Sequence, residues 1–231
     1  MLEKLKKEVF KANLELVKQN LVIYTWGNVS ARDGKTGYII IKPSGVPYSE
    51  MGYKDMVIVD SDGNRIEGNY NPSSDTLTHL EIYKAFPDIK SIVHTHSEWA
   101  TPWAQAKTDI PSYGTTHADY FYGNVFCTRE LTNSEIKDNY EKNTGKVIIE
   151  RIKESENNAL ELPGILVANH GPFSWGKNPQ SAVHNAKVLE EIAKMAYRTE
   201  VINKRISTIN DNLLDKHYLR KHGKNSYYGQ D

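Results

Sequence analysis

Ile92-Val93-His94-Thr95-His96 is the stretch from which the fold and the chemistry of this chain are best inferred. Two β-branched apolar residues lead into a His-x-His pair, which predicts a buried strand over residues 89–96. Because side chains alternate faces along a strand, His94 and His96 point the same way and can close on one ion. Neutral imidazole is a common ligand for zinc and similar metals, so the pair predicts a metal site. A catalytic site needs about three protein ligands, so another is expected from elsewhere.

A third histidine follows another apolar strand, predicted over residues 165–168. His170 stands directly after that strand, in Asn169-His170-Gly171-Pro172. A histidine at a strand end can join a pair at the end of a neighbouring strand, so His170 is the predicted third ligand. The alternative is that these histidines are ordinary polar residues near strand ends. The metal interpretation is favoured because other stretches of the chain also carry residues suited to chemistry.

Two stretches combine hydroxyl groups with turn residues, as phosphate sites do. Lys42-Pro43-Ser44-Gly45 offers a cation, a hydroxyl and accessible backbone N–H groups, although a plain turn has the same composition. Ser73 and Ser74 precede a helix predicted over residues 77–86, where they are candidate caps, phosphate ligands or both. Asp75 comes next, and it is either a cap or a carboxylate directed at the metal.

Two other stretches differ from their surroundings in composition. Residues 113–123 are too polar for a core strand and too aromatic for a solvated loop. They contain Asp119, which is a candidate acid or base and alternatively a turn former. The tail carries the paired Tyr227 and Tyr228, which is unusual in a terminal segment where disorder is the default. We expect this pair to dock on another surface.

The remaining pattern predicts one mixed α/β domain over residues 1–231. Helical spacing and capping signals predict helices over residues 2–18, 98–106, 132–155, 180–203 and 211–222. Strand patterns cover residues 24–30, 38–42, 56–59, 65–67 and 173–176. Gly27 lies inside the first of these strands and suggests close approach of the backbone to another group.

Composition places the chain among ordinary globular proteins. Of its 231 residues 39% are hydrophobic and 25% charged, and the formal net charge is zero. Nothing in this balance favours nucleic acid or a membrane as a partner. The single cysteine, Cys127, excludes an intramolecular disulfide, and a small buried hydrophobe is favoured over a catalytic thiol. With no signal peptide and no apolar run of membrane length, a cytoplasmic location is expected.

The motifs described above occur together in one known family. The chain resembles the class II sugar-phosphate aldolase/epimerase family, and within it the L-ribulose-5-phosphate 4-epimerases. The resemblance is carried by Trp-Gly-Asn at 26–28, Lys-Pro-Ser-Gly at 42–45, Ser-Ser-Asp at 73–75, His-Thr-His at 94–96 and Asn-His-Gly at 169–171. Supporting stretches lie at 114–123, 214–223 and 227–230. Each motif alone is weak, but together they run from the first helix to the tail.

The resemblance implies a fold, an assembly and a reaction. The fold is a three-layer α/β/α domain with a mostly antiparallel central sheet, as in class II aldolases, assembled into a ring-shaped homotetramer. The cofactor is a divalent metal, with Zn²⁺ expected first and Mn²⁺ or Co²⁺ as substitutes. The substrate is a small phosphorylated sugar: L-ribulose 5-phosphate and D-xylulose 5-phosphate are interconverted by cleaving and re-forming the C3–C4 bond.

Roles carry over from the family position by position. By resemblance the metal ligands are His94, His96 and His170, with Asp75 at an acidic position beside them. Phosphate and substrate contacts fall on Gly27, Asn28, Lys42, Ser44, Gly45, Ser73, Ser74 and Thr115. Asp119 and Tyr228 match a proton donor/acceptor pair. The tail, residues 224–231, is expected to carry Tyr228 into the site of a neighbouring subunit.

Two other functions stay open. The first is a lyase, a sugar-phosphate aldolase of the fuculose-phosphate type. By resemblance such aldolases carry a glutamate where this chain has Asp75, so the shorter carboxylate favours the epimerase. The second is a non-catalytic interaction domain like that of adducin, and the presence of all three histidines argues against it.

Overall fold

The computed structural model describes residues 2–224 and 226–228 of the chain. Over these residues the strands are β1 (Asn28–Arg32), β2 (Ile39–Ile41), β3 (Val57–Val59), β4 (Arg65–Glu67), β5 (Ser91–His94), β6 (Gly164–Val167) and β7 (Gly171–Gly176). They form one seven-stranded sheet in the order β4-β3-β2-β1-β5-β7-β6. All neighbouring strands pair antiparallel, as the family resemblance implied.

Strand β2 shows why this sheet needs helices on both faces. Its three residues are all isoleucine and all buried. Because strand side chains alternate, Ile39 and Ile41 pack into the core on one face and Ile40 into the core on the other. A strand that is apolar on both sides is stable only when both faces are covered.

The helices are α1 (Leu2–Lys18), α2 (Thr76–Ala85), α3 (Ala100–Ala106), α4 (Thr115–Ala118), α5 (Asn133–Lys137), α6 (Tyr140–Glu154), α7 (Pro179–Ile202) and α8 (Asp211–His222). Helices α2 and α6 pack on one face of the sheet. Helices α1, α3 and α7 pack on the other. The predicted three-layer α/β/α architecture is therefore confirmed. Within the described residues, no helix is both long and apolar enough to cross a bilayer.

The single helix predicted over residues 132–155 is wrong, because the chain forms two helices there. Asn139 has φ +60°, in the left-handed region, and this ends α5 before α6 begins. The Asn143 side chain donates to the carbonyls of Glu135 (3.0 Å) and Asp138 (2.6 Å), which the interrupted helix leaves without their usual partners. The capping box between Thr132 and Glu135 does form. The local signal was correct, but helical periodicity alone did not reveal the break.

Two predicted strands extend too far at the ends nearest the histidines. Strand β1 begins at Asn28 rather than Tyr24, because Tyr24 (φ +53°) and Gly27 (φ +109°) turn the backbone before it. Strand β5 ends at His94, so His96 lies two residues beyond it. The alternation argument therefore does not by itself explain how the two imidazoles meet.

Candidate metal centre and sugar-phosphate site

Three histidines from two separate parts of the chain converge at the end of the sheet. The nitrogen atoms of His94, His96 and His170 lie within 4.8 Å of one another. The Nε2 atoms of His94 and His96 are 3.0 Å apart. Two nitrogen ligands on one tetrahedral zinc, each at about 2.0–2.1 Å, are separated by about 3.3 Å. The His94–His96 pair therefore has nearly the spacing of two ligands on one ion, and His170 is close enough to be a third.

His94 is oriented by the strand on its other side. Its Nδ1–H donates to the Pro172 carbonyl at 3.0 Å, which leaves the lone pair on Nε2, the atom that faces His96. The ring also stacks on Phe173, with ring centroids 4.2 Å apart. Pairing of β5 with β7 places His94 opposite Phe173. The sheet therefore holds His94 in a fixed tautomer and orientation.

The Asn-His-Gly motif gives the turn that carries His170. Asn169 has φ +61°, a conformation that asparagine tolerates better than most residues, and the His170 N–H donates to the Val167 carbonyl at 3.0 Å. At Gly171 a Cβ would lie 2.8 Å from the Thr95 carbonyl oxygen. Glycine therefore lets β7 come close enough for His170 to face His94.

Burial governs the charge of this cluster. Burial, with a smaller contribution from the neighbouring His94, lowers the pKa of His170 to about 3. The imidazole is therefore neutral near pH 7, the state that binds a metal. Burial alone would raise the pKa of Asp75, but His94, His79 and His170 outweigh it and hold that carboxyl below its usual range. The neutral imidazole of His170 thus lies near the Asp75 carboxylate.

Asp75 lies beside the histidines and does not cap its helix through its side chain. It is the N-cap residue of α2 but makes no side-chain capping bond. Its Oδ2 instead accepts from the Asn28 amide at 2.7 Å, and that same amide donates to Ser73 Oγ at 3.0 Å. The interpretation of Ser73 or Ser74 as the N-cap residue is therefore wrong. Asp75 is outside the group of three converging histidines, so its ligation stays a prediction.

One cavity of about 610 Å³ joins these groups. Every predicted metal and phosphate residue except Thr115 lines it: Gly27, Asn28, Lys42, Ser44, Gly45, Ser73, Ser74, Asp75, His94, His96 and His170. Gly27 is required where β1 enters the site, since a Cβ there would lie 2.9 Å from the His94 carbonyl oxygen. Asn28 Oδ1 is buried without a hydrogen-bond partner among the described residues. It is available to a hydroxyl of a bound ligand.

The predicted phosphate loop has an exposed and a buried part. Ser44 and Gly45 are exposed, and Gly45 has φ +68°. Lys42 is buried, and its ammonium donates to the carbonyls of Pro43 (3.2 Å) and Val46 (2.9 Å). Burial lowers the pKa of Lys42 to about 8. The lysine therefore fixes the loop that presents Ser44.

Sequence reasoning gave no role to several other residues that line the cavity, among them Trp26, Tyr140 and Glu141. Trp26 belongs to the Trp-Gly-Asn motif, but only its two neighbours were assigned to the site. The Tyr140 hydroxyl lies 3.4 Å from His170 Nδ1. Tyr140 begins α6, so it enters the site only because the helix breaks before it. The one signal was Asp138-Asn139, two residues that favour turns over helix interiors.

Asp119, Tyr228 and Thr115 form a separate group that does not line this cavity. The Asp119 carboxylate accepts from His217 at 3.0 Å and Arg220 at 3.0 Å and pairs with Lys221 at 3.2 Å. Burial would raise the pKa of Asp119, but these three donors hold it below its usual value.

Tyr228 and Thr115 both adjoin this carboxylate group. The Tyr228 ring is more than half exposed and lies 4.6 Å from the Arg220 guanidinium carbon and 4.7 Å from Lys221 Nζ. The Thr115 carbonyl accepts from the Asp119 N–H at 2.9 Å, at the end of α4. The structure therefore brings Asp119 and Tyr228 together, but apart from the histidines. Residues 225 and 229–231 of the tail lie outside the described residues.

Another cavity, of about 690 Å³, lies between α1 and α7. Glu8, Lys11, Glu15, His184 and Lys187 contribute to its lining. Its lining mixes acidic and basic groups, and its one histidine does not belong to the converging group. Size alone would favour this cavity, but the chemistry favours the smaller one.

Cys127 behaves as the sequence predicted. It is buried in an apolar cluster beside α3 and α7. Burial raises the pKa of the thiol to about 11, so it is protonated near pH 7.

Comparison with known proteins agrees with this geometry. Curated relatives from Salmonella paratyphi C (strain RKS4594) and Salmonella choleraesuis (strain SC-B67) are both named L-ribulose-5-phosphate 4-epimerase UlaF. Each is 55% identical over 229 residues, covering 99% of this chain and 100% of the relative. An L-fuculose 1-phosphate aldolase superposes with a TM-score of 0.78 at 26% identity, covering 93% of this chain and 94% of the other.

A second solved structure, the L-fuculose-1-phosphate aldolase from Thermus thermophilus, is similar in fold, with a TM-score of 0.69 and 19% identity. The match covers 89% of this chain and 100% of the other. The family model described as class II aldolase and adducin N-terminal domain matches residues 7–197, which include all three converging histidines. Because this match spans most of the sequence and the relatives align along nearly all of it, the chain belongs to the class II aldolase and adducin N-terminal domain family.

Proposed function

We propose that the protein is an L-ribulose-5-phosphate 4-epimerase that interconverts L-ribulose 5-phosphate and D-xylulose 5-phosphate. The observation that carries the proposal is the convergence of His94, His96 and His170 in a cavity that also exposes Ser44 and Ser74. Relatives of that name share 55% of their residues with this chain. A metal centre beside a cluster of hydroxyl groups suits a sugar phosphate.

The chemistry of this substrate explains the need for such a site. C4 of the pentulose is not adjacent to the C2 carbonyl, so its hydrogen is not acidic and cannot simply be removed. Breaking the C3–C4 bond by a retro-aldol step avoids that difficulty. The C4 hydroxyl loses its proton, C4 becomes the aldehyde of glycolaldehyde phosphate, and C1–C3 become the enediolate of dihydroxyacetone. Rotation of the aldehyde and re-addition to its other face invert C4.

We assign the metal site to His94, His96 and His170, with Asp75 beside them. A divalent ion bound there would act as a Lewis acid on the C2 and C3 oxygens of the sugar. Zn²⁺ is the proposed native ion, because imidazole ligands suit it, and Mn²⁺ or Co²⁺ are substitutes. Asn28 orients Asp75 through the 2.7 Å hydrogen bond and keeps its own Oδ1 free for the substrate.

The phosphate would be held by hydroxyl and backbone groups of the same cavity. Ser44 and Ser74 line it with exposed side chains, and Gly45 is also exposed there. Ser73, Gly27 and Lys42 line the same cavity, and Thr115 is proposed to contribute with the acid/base group. Holding the phosphate while the aldehyde rotates retains the cleaved fragment in the site.

Proton transfer at the C4 oxygen is assigned to Asp119 and Tyr228. Neither lines the histidine cavity of its own chain, so we propose that a neighbouring subunit supplies them in a homotetramer. In this arrangement the domain spans residues 1–231, and its tail, 224–231, completes a neighbour's site. The single, buried Cys127 suits the cytoplasm as its location.

A lyase is the second candidate, supported by the likeness to an L-fuculose 1-phosphate aldolase. The two reactions share the retro-aldol step and differ in whether the aldehyde leaves. The short Asp75 side chain, held by Asn28 beside the metal centre, favours the epimerase. A non-catalytic domain would not need three converging histidines.

A coupled assay decides between these functions. Purified protein with Zn²⁺ restored should convert L-ribulose 5-phosphate to D-xylulose 5-phosphate, and chelation should abolish the activity. A panel of phosphorylated ketoses, scored for dihydroxyacetone phosphate release, tests the lyase. Release of that product without epimerisation would refute the proposal, and inactivity of a metal-loaded protein on the whole panel would favour the interaction domain.

A further inference from the structure

The position of His96 is not explained by the strand that precedes it. Strand β5 ends at His94, and the exposed side chain of His96 makes its ring contacts, among the described residues, with His94, His170 and Trp26. On either side of it, Thr95 and Ser97 are buried. The Thr95 N–H donates to the Pro172 carbonyl at 3.3 Å. Ser97, on the C-terminal side of His96, must be held by a contact from outside the sheet.

That anchor is Glu190, a carboxylate with no role in the proposed chemistry. It lies in the middle of α7 and is only 4% exposed. Its oxygens accept from Ser97 Oγ at 2.7 Å, the Trp99 N–H at 2.8 Å and the Ala100 N–H at 2.9 Å. All three donors belong to the segment between His96 and the start of α3. Burying a carboxylate is costly, so three such hydrogen bonds at one place indicate a specific use.

Helix α3 has a second polar attachment to α7 that does not involve this segment. The Trp103 indole N–H donates to the Ala193 carbonyl at 3.1 Å, one helical turn beyond Glu190. Trp103 and Ala193 also pack in the same apolar cluster. Docking of α3 therefore does not depend on Glu190 alone. The specific effect of Glu190 is to hold Ser97, the residue next to His96, in place.

We propose that Glu190 is a positioning residue for the metal site, holding the segment 97–100 so that His96 meets His94 and His170. The inference rests on the proposed metal centre. Without these bonds α3 keeps its attachment through Trp103, but the residues next to His96 lose theirs to α7, and His96 samples positions from which its Nε2 does not face His94. The carboxylate never touches the metal or the substrate and acts through the backbone of its neighbours.

The test uses metal binding in the full-length protein. Zn²⁺ affinity of metal-free wild type, Glu190→Gln, Ser97→Ala and Trp103→Phe is measured by competition with a chromophoric chelator. The glutamine variant keeps the shape of Glu190 but turns an amide NH₂ toward a donor, and its Zn²⁺ Kd should rise about 10- to 100-fold, as for loss of groups that orient metal ligands. Ser97→Ala, which removes one bond, should give a smaller rise. The Co²⁺-loaded absorption spectrum of Glu190→Gln should change, because one imidazole is displaced.

Trp103→Phe is the matched control. It removes the other α3–α7 hydrogen bond and should lower the melting temperature while leaving the Zn²⁺ Kd and the Co²⁺ spectrum as in wild type. Wild-type Kd and spectrum in both Glu190→Gln and Ser97→Ala would overturn the positioning role. Equal metal loss in Trp103→Phe would also overturn the positioning role, because weaker docking of α3 would then be enough to explain the loss of metal. Wild-type protein that binds no Zn²⁺ would refute the proposed function itself, and the inference with it.

Discussion

At the scale of single residues, the serines predicted to bind phosphate divide into two kinds. Ser73 is buried, and its hydroxyl accepts from the Asn28 amide and so supports Asp75. Ser44 and Ser74 are exposed in the cavity, and their hydroxyls make no hydrogen bond within the described residues. Local sequence could not separate them, since both kinds sit in similar turn motifs.

Ser44→Ala and Ser74→Ala should each raise the KM for L-ribulose 5-phosphate and leave the melting temperature unchanged. A charge-assisted hydrogen bond to phosphate is worth roughly 1.5–3 kcal/mol, which corresponds to roughly a 10- to 100-fold effect. Ser73→Ala is the contrasting variant and should lower stability as well. Steady-state kinetics and thermal unfolding measure both. An unchanged KM in both Ser44→Ala and Ser74→Ala would remove these serines from the phosphate site.

At the scale of elements, the packing of α6 on α2 places Tyr140 and Glu141 at the cavity. The Thr78 hydroxyl donates to the Glu141 carbonyl at 2.6 Å. At Gly145, one turn along, an added Cβ would lie 2.7 Å from Glu81 Cβ and 3.0 Å from the Thr78 carbonyl oxygen. The two helices are therefore in contact through their backbones. This close approach fixes where α6 begins.

Gly145→Ala should destabilise the protein by about 1–3 kcal/mol, although alanine favours helix over glycine by about 1 kcal/mol. The new methyl group must push α6 away from α2, and Tyr140 would move with it. Urea unfolding measures the loss, with Lys142→Ala on the exposed face as the control. A stabilised Gly145→Ala protein would show that the helices separate without cost.

At the scale of the whole molecule, each chain keeps the proposed metal ligands apart from the proposed proton-transfer pair. The histidine cavity has no part of the Asp119 group in its lining, as far as the described residues show, and Tyr228 lies over Arg220 and Lys221 instead. Hydrogen bonds from the Tyr227 and Tyr228 N–H groups to the Arg220 carbonyl hold the described part of the tail there. An assembly that brings the two sets together is therefore part of the proposed function.

Mixed oligomers test this arrangement. Tyr228→Phe should keep bound metal and lose roughly 10²–10⁴-fold in turnover, the usual contribution of one acid/base group. His96→Asn should lose the metal and nearly all activity. When the two inactive chains are unfolded and refolded together, some sites should regain both groups and measurable epimerase activity. If the mixtures stay inactive although subunit exchange is verified, Tyr228 either acts in the site of its own chain or takes no part in the reaction.

Buried histidines should make the stability of the molecule sensitive to acid. His117 is buried, and burial lowers its pKa to about 4, below the ordinary value of about 6.5. Between these values the unfolded chain binds the proton and the folded chain does not, so stability falls as pH falls from about 6.5 toward 4. The difference amounts to on the order of 3 kcal/mol. His117→Gln should flatten the pH dependence of urea unfolding, and exposed His184→Gln should not.

The sequence by itself determined much of the local structure and the identity of the candidate ligands. The hairpin of β3 and β4 and the boundaries of α8 follow from turn residues and apolar periodicity, which act over a few neighbours. Asn178, directly before Pro179, caps α7, with its side chain accepting from the Ser181 N–H at 2.8 Å. The histidines were identifiable because each ends or follows an apolar strand. The pattern alone predicted a mixed α/β domain, and the resemblance to the family added the antiparallel sheet and the three layers.

Only the tertiary structure decided how these pieces meet. Strand order places His94 and His170 side by side through the pairing of β5 with β7, and no local pattern encodes that neighbour. Asn139 interrupts a helix that the sequence predicted as continuous, and the segment after it, α6, packs on α2. In the sequence, Glu190 looks like an ordinary acidic residue of a helix. Its contacts with the segment after His96 appear only when α7 packs against that segment. Contacts between residues some ninety positions apart depend on the whole packed core, which is why local pattern could not predict them.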